Sequence, residues 1–444
     1  MLFSKEELKR ETGAQVLLDK GSYANYEIST DSRTIKPGDM YLPLKGETFD
    51  GETFVESALH NGARAYFTAR NYVYPSTDFV LKVKDTKEAY LSIAEYCRDK
   101  IDPKTIAVTG SAGKTTTKEM IYSVLSKEFR THKTFSNHNN EIGFCQTVLS
   151  MPEDTEVLIV EMGMRGFGEI ELISNHLKPD YAVITNSGSA HVGRLGSLDN
   201  IASAKCEITS GLRADGVFIS KDQEIIKKHL NFEGEKIFYS LDNVQIIEMA
   251  HGYSKFKYKD NVYELNAAGD YNIENSLAAI ELGLKMGMSV ELIQAGLLSY
   301  RPIEKRWEAE QVGDLKFIND SYNANPDSMK VSVKTFFDLY DKPVVVLGDM
   351  GELGDDEVLY HKQVGEYIAK ISPKDVKYIT VGKLAAEIAN VLEGSGFEAH
   401  KFDSNEQAAC YILENLRAGY TIFLKASRAM KFEEILEKVK RGIV

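Results

Sequence analysis

Along most of the chain, short uncharged runs alternate with longer stretches in which apolar residues recur every three or four positions. Thr105-Ile106-Ala107-Val108-Thr109 is such a run, and Met120, Ile121, Val124, Leu125 and Phe129 follow at helical spacing. Val157-Leu158-Ile159-Val160 and Tyr181-Ala182-Val183-Ile184-Thr185 predict two more buried strands. After residue 303 the alternation restarts, with strands predicted at 316–318, 344–347, 378–381 and 421–424. Strands that take turns with helices predict a parallel sheet covered by helices.

The first hundred residues have a different texture. Lys36-Pro37-Gly38-Asp39 is a turn, Met40–Leu44 a strand, 54–62 a helix and 63–67 a strand, which makes a small α/β unit. The stretch 216–265 predicts a strand-rich excursion from the central pattern. The boundaries drawn this way are 1–100, 101–303 and 304–444.

Composition narrows the classes. At 444 residues the chain is too long for one core. With 43% hydrophobic and 27% charged residues it reads as globular and soluble. A formal charge of −13 argues against a nucleic-acid surface, though a local basic pocket for an anion remains open. The start, Met1 to Arg10, is charged, so no leader is expected. No apolar run is long enough to predict a membrane span. Cys97, Cys145, Cys206 and Cys410 are scattered, which points to free thiols, a reducing compartment and the cytoplasm.

The most specific chemistry lies between the strand ending at Thr109 and the helix after it. Gly110-Ser111-Ala112-Gly113-Lys114-Thr115-Thr116-Thr117 is a loop of small residues. Its backbone N–H groups and the helix start suit phosphate oxygens. Lys114 would reach the terminal phosphates and Thr115 would offer a hydroxyl to Mg²⁺. The common phosphate-loop spacing asks for a glycine at 108, where Val108 stands, so strand–loop–helix context carries the assignment.

Other polar residues end strands, where ligands of open α/β sheets bind. Glu161 closes an apolar strand and suits a metal-facing carboxylate, or else a cap. His191 follows Ser187-Gly188-Ser189 and is a structural hydrogen-bonder or a ligand. Lys205 lies on an amphipathic helix and, by pattern alone, is a solvated or ion-paired lysine. Asn137, Asn139, Asn140 and Glu141 form a ligand loop or a solvated turn. Asp320 opens a second polar cluster, Asn319 to Pro326, which doubles as a helix start.

Together these strings resemble the Mur ligases of bacterial cell-wall synthesis, over nearly the whole chain. The resemblance rests on Thr109–Thr116, Asn139-Asn140-Glu141-Ile142-Gly143, Glu161-Met162-Gly163, Ile184-Thr185-Asn186, Ala190-His191 and Tyr271 to Ala279. It continues in Asp320 to Met329, Leu347 to Gly354 and Lys425-Ala426-Ser427-Arg428. It implies three α/β domains: a small N-terminal one, a central P-loop-type parallel sheet and a C-terminal Rossmann-like domain. It also implies amide-bond formation driven by ATP and Mg²⁺ through an acyl phosphate. Asp320-Ser321-Tyr322-Asn323-Ala324-Asn325-Pro326 and Gly348-Asp349-Met350-Gly351-Glu352-Leu353-Gly354 match the branch taking UDP-N-acetylmuramoyl-tripeptide and D-alanyl-D-alanine.

The same resemblance implies roles. Gly110, Ser111, Ala112, Gly113, Lys114, Thr115 and Thr116 would hold ATP, with Asn272 and Asn275 near the adenine and Arg306 and Asp320 closing over it. Thr115, Glu161, His191 and Lys205 would serve metal, Lys205 after carbamylation; Lys114, Glu161, His191 and Lys205 would be catalytic. Asp31, Ser32, Arg33 and Lys45 would hold the UDP end. Asn139 and Asn140 would meet the precursor, and Asn323, Asn325, Asp349, Ser427 and Arg428 the dipeptide. A monomer is expected. Phe144-Cys145, Tyr271 and Ala426 depart from the usual Pro, His and Gly of the family.

Overall fold

The computed structural model describes residues 1–46, 48–302, 305–416 and 418–443. The expected boundary at 303/304 falls outside them.

The central sheet has six parallel strands in the order Glu235–Tyr239, Val217–Lys221, Tyr181–Ile184, Lys104–Thr109, Val157–Glu161, Thr131–Lys133. Its pleat sorts side chains to two faces. Ile106, Val108, Ile159 and Val183 join one core with the helices Lys114–Leu125 and Asp270–Lys285. Ala107, Leu158, Val160, Ala182 and Ile184 join another. From Lys104–Thr109 the chain first builds outward on one side and later on the other. The loop after Thr109 therefore sits where strand order reverses, the usual ligand crevice of such sheets.

The core holding Ala107 and Leu158 does not stop at the central sheet. It runs on through Leu91, Ile93, Ala94 and Cys97 of the helix Thr86–Ile101 to Phe67, Phe79 and Leu81. Those last residues belong to a five-stranded sheet ordered Gln15–Asp19, Phe79–Lys82, Ala65–Thr68, Met40–Tyr41, Ile28–Ser29. All its pairs are parallel except the first.

A second six-stranded sheet runs Glu308–Val312, Leu315–Asn319, Thr421–Lys425, Pro343–Gly348, Lys377–Val381, Ala399–Phe402. Only its edge pair is antiparallel. Its two faces fill separate cores, one around Val345 and Phe423 and the other around Val344 and Leu424. The carboxyl ends of its strands carry Asp320 and Ser427, which line one cleft together with the central sheet's loop at Ser111–Thr116.

Several expectations need correction. Val217–Lys221 and Glu235–Tyr239 are strands of the central sheet, and only Val244–Ala250, Tyr253–Tyr258 and Asn261–Leu265 form the separate antiparallel excursion. Exposed polar residues between them hid the join. The strand expected over Met40–Leu44 pairs only at Met40–Tyr41, because Pro43 has no N–H to give. The helix expected over 54–62 is Val55–His60, entered through the tight turn Gly51–Phe54. Among the described residues no helix is long and apolar enough to cross a membrane.

Candidate active site

The loop after Thr109 is held by contacts that only glycine permits at two positions. Gly110 has φ 154° and Gly113 φ 80°. A Cβ would meet Thr185 Oγ1 at 1.9 Å in the first case and Asn275 Oδ1 at 2.5 Å in the second. Asn186 fastens the turn from the next strand. Its Oδ1 accepts from Ala112 N–H at 3.0 Å, its Nδ2 donates to Ala112 O at 3.0 Å, and its carbonyl accepts from Ser111 N–H at 3.0 Å. The Thr185 hydroxyl donates to the same Ala112 oxygen at 2.5 Å. Lys114 opens the helix Lys114–Leu125 and folds back to donate to Gly110 O at 2.8 Å. Loss of water holds its ammonium below the ordinary lysine range, with Glu161 opposing the shift. A cation placed there, beside unpaired helix N–H groups, favours an incoming anion.

Glu161 ends its strand directly opposite. Its Oε1 accepts from the Thr115 hydroxyl at 3.2 Å and from Asn139 Nδ2 at 3.0 Å. Its Oε2 is buried with no hydrogen-bond partner. The nearest cation to that oxygen is Lys118 Nζ, 3.6 Å away and itself wholly buried. Lys118 also donates to Thr134 O at 2.8 Å, pinning the segment that leads to Asn139. Asn140 caps the helix Glu141–Leu149 by accepting from Gly143 N–H at 2.9 Å.

His191 has a left-handed backbone, φ 67°. Its Nδ1 lies 2.6 Å from Glu352 Oε2 of the second six-stranded unit. The His191 contact holds the Glu352 carboxyl below its usual range, against a smaller opposing effect of burial. Lys205 is not the solvated lysine its pattern suggests. It is 1% exposed, and burial followed by the Lys114 charge pushes it well below the lysine range. On its helix Leu198–Cys206, Ile201, Ala204 and Cys206 share a core with Ala182, Ile184 and Phe218 of the central sheet, and Lys205 is buried beside them, which no single-helix pattern discloses.

Two further pairs join the central unit to the next, and a third set of contacts braces the next unit internally. Ser189 donates from N and from Oγ to Asp327 Oδ2, at 2.8 and 2.9 Å. Arg306 donates to the Thr115 hydroxyl at 3.1 Å while its guanidinium lies 4.1 Å over Tyr322. Asp320 pairs with Lys425 Nζ at 2.5 Å and accepts from the Ser332 hydroxyl at 2.9 Å.

Between these groups lies a cleft of about 2470 Å³. A drug-sized ligand fills roughly 300–1,000 Å³, so this volume suits more than one substrate. Ser111 to Thr116, Asn139, Asn140, Glu161, His191, Asn272, Asn275, Arg306, Asp320, Asn323, Asn325, Ser427 and Arg428 all line it, and so does Lys45 at its far end. Gly110 and Lys205 stand behind the lining. Asp31, Ser32 and Arg33 are elsewhere; Arg33 grips Asp31 through two hydrogen bonds of 2.9 and 2.7 Å. Asp349 faces into its own unit, where its Oδ1 accepts from Ala385 N–H at 2.7 Å. Sequence reasoning gave no site role to Asn186, Lys118, Asp327 or Glu352. For Lys118 a signal existed, since it falls one turn after Lys114 on the same helix face. For the others the partner lies far away in sequence.

Three family models match the chain in succession. They are a Mur ligase family, catalytic domain over residues 26–98, a Mur ligase middle domain over 108–283, and a Mur ligase, glutamate ligase domain over 305–428. The UDP-N-acetylmuramoyl-tripeptide--D-alanyl-D-alanine ligase of Bacillus subtilis (strain 168) is 39% identical, covering 94% of this chain and 95% of its own. The protein of the same name from Escherichia coli (strain K12) is 31% identical, over 97% and 95%. Among solved structures, MurF from Acinetobacter baumannii superposes with TM-score 0.90 at 28% identity, covering 99% of each chain. MurF ligase from Thermotoga maritima in complex with ADP superposes with TM-score 0.83 at 24% identity, over 94% and 98%.

Proposed function

The chain belongs to the Mur ligase family, and from that premise we propose that it joins D-alanyl-D-alanine to UDP-N-acetylmuramoyl-tripeptide using ATP. It is an amide-bond-forming ligase of peptidoglycan precursor synthesis. A carboxylate is a poor electrophile, so its direct condensation with an amine in water is slow and uphill. Transfer of the γ-phosphoryl group of ATP to the tripeptide carboxylate makes an acyl phosphate and releases ADP. The dipeptide amine then attacks the acyl carbon, and phosphate leaves. Phosphoryl transfer asks mainly for positioning and charge stabilisation.

One observation carries this reading: the crowded turn Gly110–Gly113, tied by Asn186 and Thr185, with Lys114 at its rim. Lys114 would release Gly110 O and take a phosphate oxygen. Thr115 and Arg306 would face the terminal phosphates, and Asn272 and Asn275 the base. Asp320 would close over the nucleotide.

The donor set fits Mg²⁺. Glu161 Oε2 is buried without a hydrogen bond, and the Thr115 hydroxyl adjoins the same carboxylate. Among the described residues no three of His, Cys, Asp and Glu cluster as a ready cage. Mg²⁺ commonly takes one or two carboxylates from a protein and keeps waters and phosphate oxygens as its other ligands. Bound there, Mg²⁺ would screen the repulsion between the triphosphate and the reacting carboxylate. His191 would present a ring nitrogen to a second position. Burial lowers the hold of Lys205 on its proton, which favours uptake of CO₂, and the resulting carbamate would serve metal as a carboxylate.

Lys45 would meet the UDP end of the precursor. Asp31, Ser32 and Arg33 would join it only after Arg33 leaves Asp31. Asn139 and Asn140 would contact the precursor, and Asn323, Asn325, Ser427 and Arg428 the dipeptide. Asp349 would support that loop from behind. The reaction would take place in the cytoplasm on a monomer.

Phosphate release tests this directly, with ATP, UDP-N-acetylmuramoyl-tripeptide and D-alanyl-D-alanine each omitted in turn. Release should need all three, and D-glutamate or L-glutamate should not replace the dipeptide. Lys114→Ala should lower turnover by about 10³-fold or more without unfolding the protein. Near-normal turnover in that variant would overturn the phosphate-loop role.

A further inference from the structure

The contact between His191 and Glu352 is one of several that join the central unit to the next. His191 belongs to the short loop after the central strand Tyr181–Ile184. Glu352 belongs to the loop after Pro343–Gly348 in the next unit, 161 residues later. Both have left-handed backbones, φ 67° and 62°, although neither is glycine. Such conformations cost energy and persist where the surroundings enforce them.

The surroundings here are specific. Gly193 N–H donates to Glu352 O at 3.3 Å. Gly193 and Gly354 pack backbone to backbone, and a Cβ on Gly193 would stand 2.2 Å from Gly354 N. Arg194 Nε lies 3.6 Å from Glu352 Oε1. From the other side His361, fully buried, faces Glu357 O with Nδ1 at 2.7 Å and accepts Met350 N–H on Nε2 at 3.0 Å. Its ring thus ties the helix Glu357–Ile371 to the loop that carries Glu352.

Glu352 Oε2 stands 2.6 Å from His191 Nδ1, although that nitrogen has no well-directed hydrogen bond. A carboxylate on one nitrogen of an imidazole sets the ring's tautomer and its angle, leaving the other nitrogen as a lone-pair donor. Histidines that serve metals or phosphates are commonly oriented this way. In this chain the orienting carboxylate comes from a different unit than the histidine.

We propose that Glu352 is a positioning residue that acts through His191. It fixes the His191 ring with Nε2 toward the cleft, so that the phosphoryl-transfer site is completed only when the third unit docks. This rests on the Mur ligase reading above and deepens it. Docking and readiness become one event: without the third unit the ring turns freely, and ATP is not committed before the amine-binding loops arrive.

The test has three arms. In the first, ¹⁵N-histidine spectra are recorded on metal-free, nucleotide-free full-length protein, with the His191 signal assigned through His191→Gln. The native protein should show His191 mainly as the Nδ1–H tautomer. Glu352→Ala should shift the signal toward a tautomer average, and Glu352→Asp should restore part of it. In the second, Glu352→Ala should lower kcat by about 10- to 100-fold while KM for ATP stays within about threefold. In the third, Glu352→Ala in a His191→Ala background should add no further loss, because an indirect residue has nothing left to orient.

An unmoved ¹⁵N signal would overturn the proposal. So would losses that multiply in the double variant, which would make Glu352 a substrate contact of its own. Lys114→Ala runs beside these arms. If it keeps turnover, the ligase reading fails. If it is inactive while Glu352→Ala behaves like the native protein, only the positioning role fails.

Discussion

Across one junction of this molecule, Leu91, Ile93 and Ala94 of the helix Thr86–Ile101 share a single core with Leu158 and Val160 of the central sheet. Across the other junction a smaller apolar contact, Val192 and Tyr271 against the core around Val345 and Phe423, is joined by polar pairs at the cleft: Ser189 to Asp327, His191 to Glu352, Thr115 to Arg306. Apolar burial is non-directional, and each fully buried large side chain contributes about 1.5–3 kcal/mol. Nothing in the reaction needs to exchange it. A polar contact nets about 0.5–1.5 kcal/mol and can be traded for water or for a ligand at little cost. The first junction is therefore a permanent weld and the second a latch. Inter-domain surfaces of the second kind move by default, and an acyl phosphate needs a site that shuts out water after substrates enter.

The strongest way to break this comparison is Leu91→Ala at the weld. Leu91 is fully buried, so the cavity should cost about 2–5 kcal/mol of stability in denaturant unfolding, with kcat at low temperature within about twofold of native. A variant that folds as stably as the native protein would show that the core is not shared.

Asp327→Ala at the latch should do the reverse. It leaves both Ser189 donors without their acceptor, so kcat/KM should fall about tenfold, roughly 1.4 kcal/mol, while global stability moves by less than in Leu91→Ala. Small-angle scattering should show a larger open population. Unchanged kinetics and scattering would mean that the latch lies elsewhere.

The smallest effect sharpens the weld near its edge. Glu7 accepts from the Tyr96 hydroxyl at 2.5 Å and from Lys100 at 3.0 Å, tying the helix Lys5–Thr12 to Thr86–Ile101. The Tyr96 bond first, then the Ser4 N–H and then Lys100, against an opposing effect of burial, pull its carboxyl from 4.5 down to about 2. A lowered carboxylate stabilises the fold fully above the unfolded value and loses that effect as pH falls through the folded one. Between pH 4.5 and about 2 the native protein should therefore lose stability faster than Glu7→Gln. At neutral pH the substitution should cost on the order of 1 kcal/mol. Parallel acid limbs for the two proteins would remove Glu7 from the weld.

Much of the site was legible in the chain because its signals are local. Gly110, Gly113 and Lys114 sit within five residues, and the strand before them announces itself by uncharged β-branched residues. Glu161 was legible for the same reason, as a carboxylate closing an apolar run. The strands Val217–Lys221 and Glu235–Tyr239 were misread because their place in a sheet depends on neighbours far away in sequence. Lys205 was misread because a helix pattern shows which residues share a face but not what covers that face.

The sequence by itself determined the alternating α/β order, the phosphate-type loop and the polar residues that end the strands. Each follows from spacing over a few residues, where backbone geometry leaves little choice. Only the tertiary structure decided that Lys205 is dry, that Asp31, Ser32 and Arg33 stand outside the cleft lining, and that Glu352 reaches His191. Burial and ion pairing depend on which surfaces meet across long stretches of chain, and that is set by the packing of whole units.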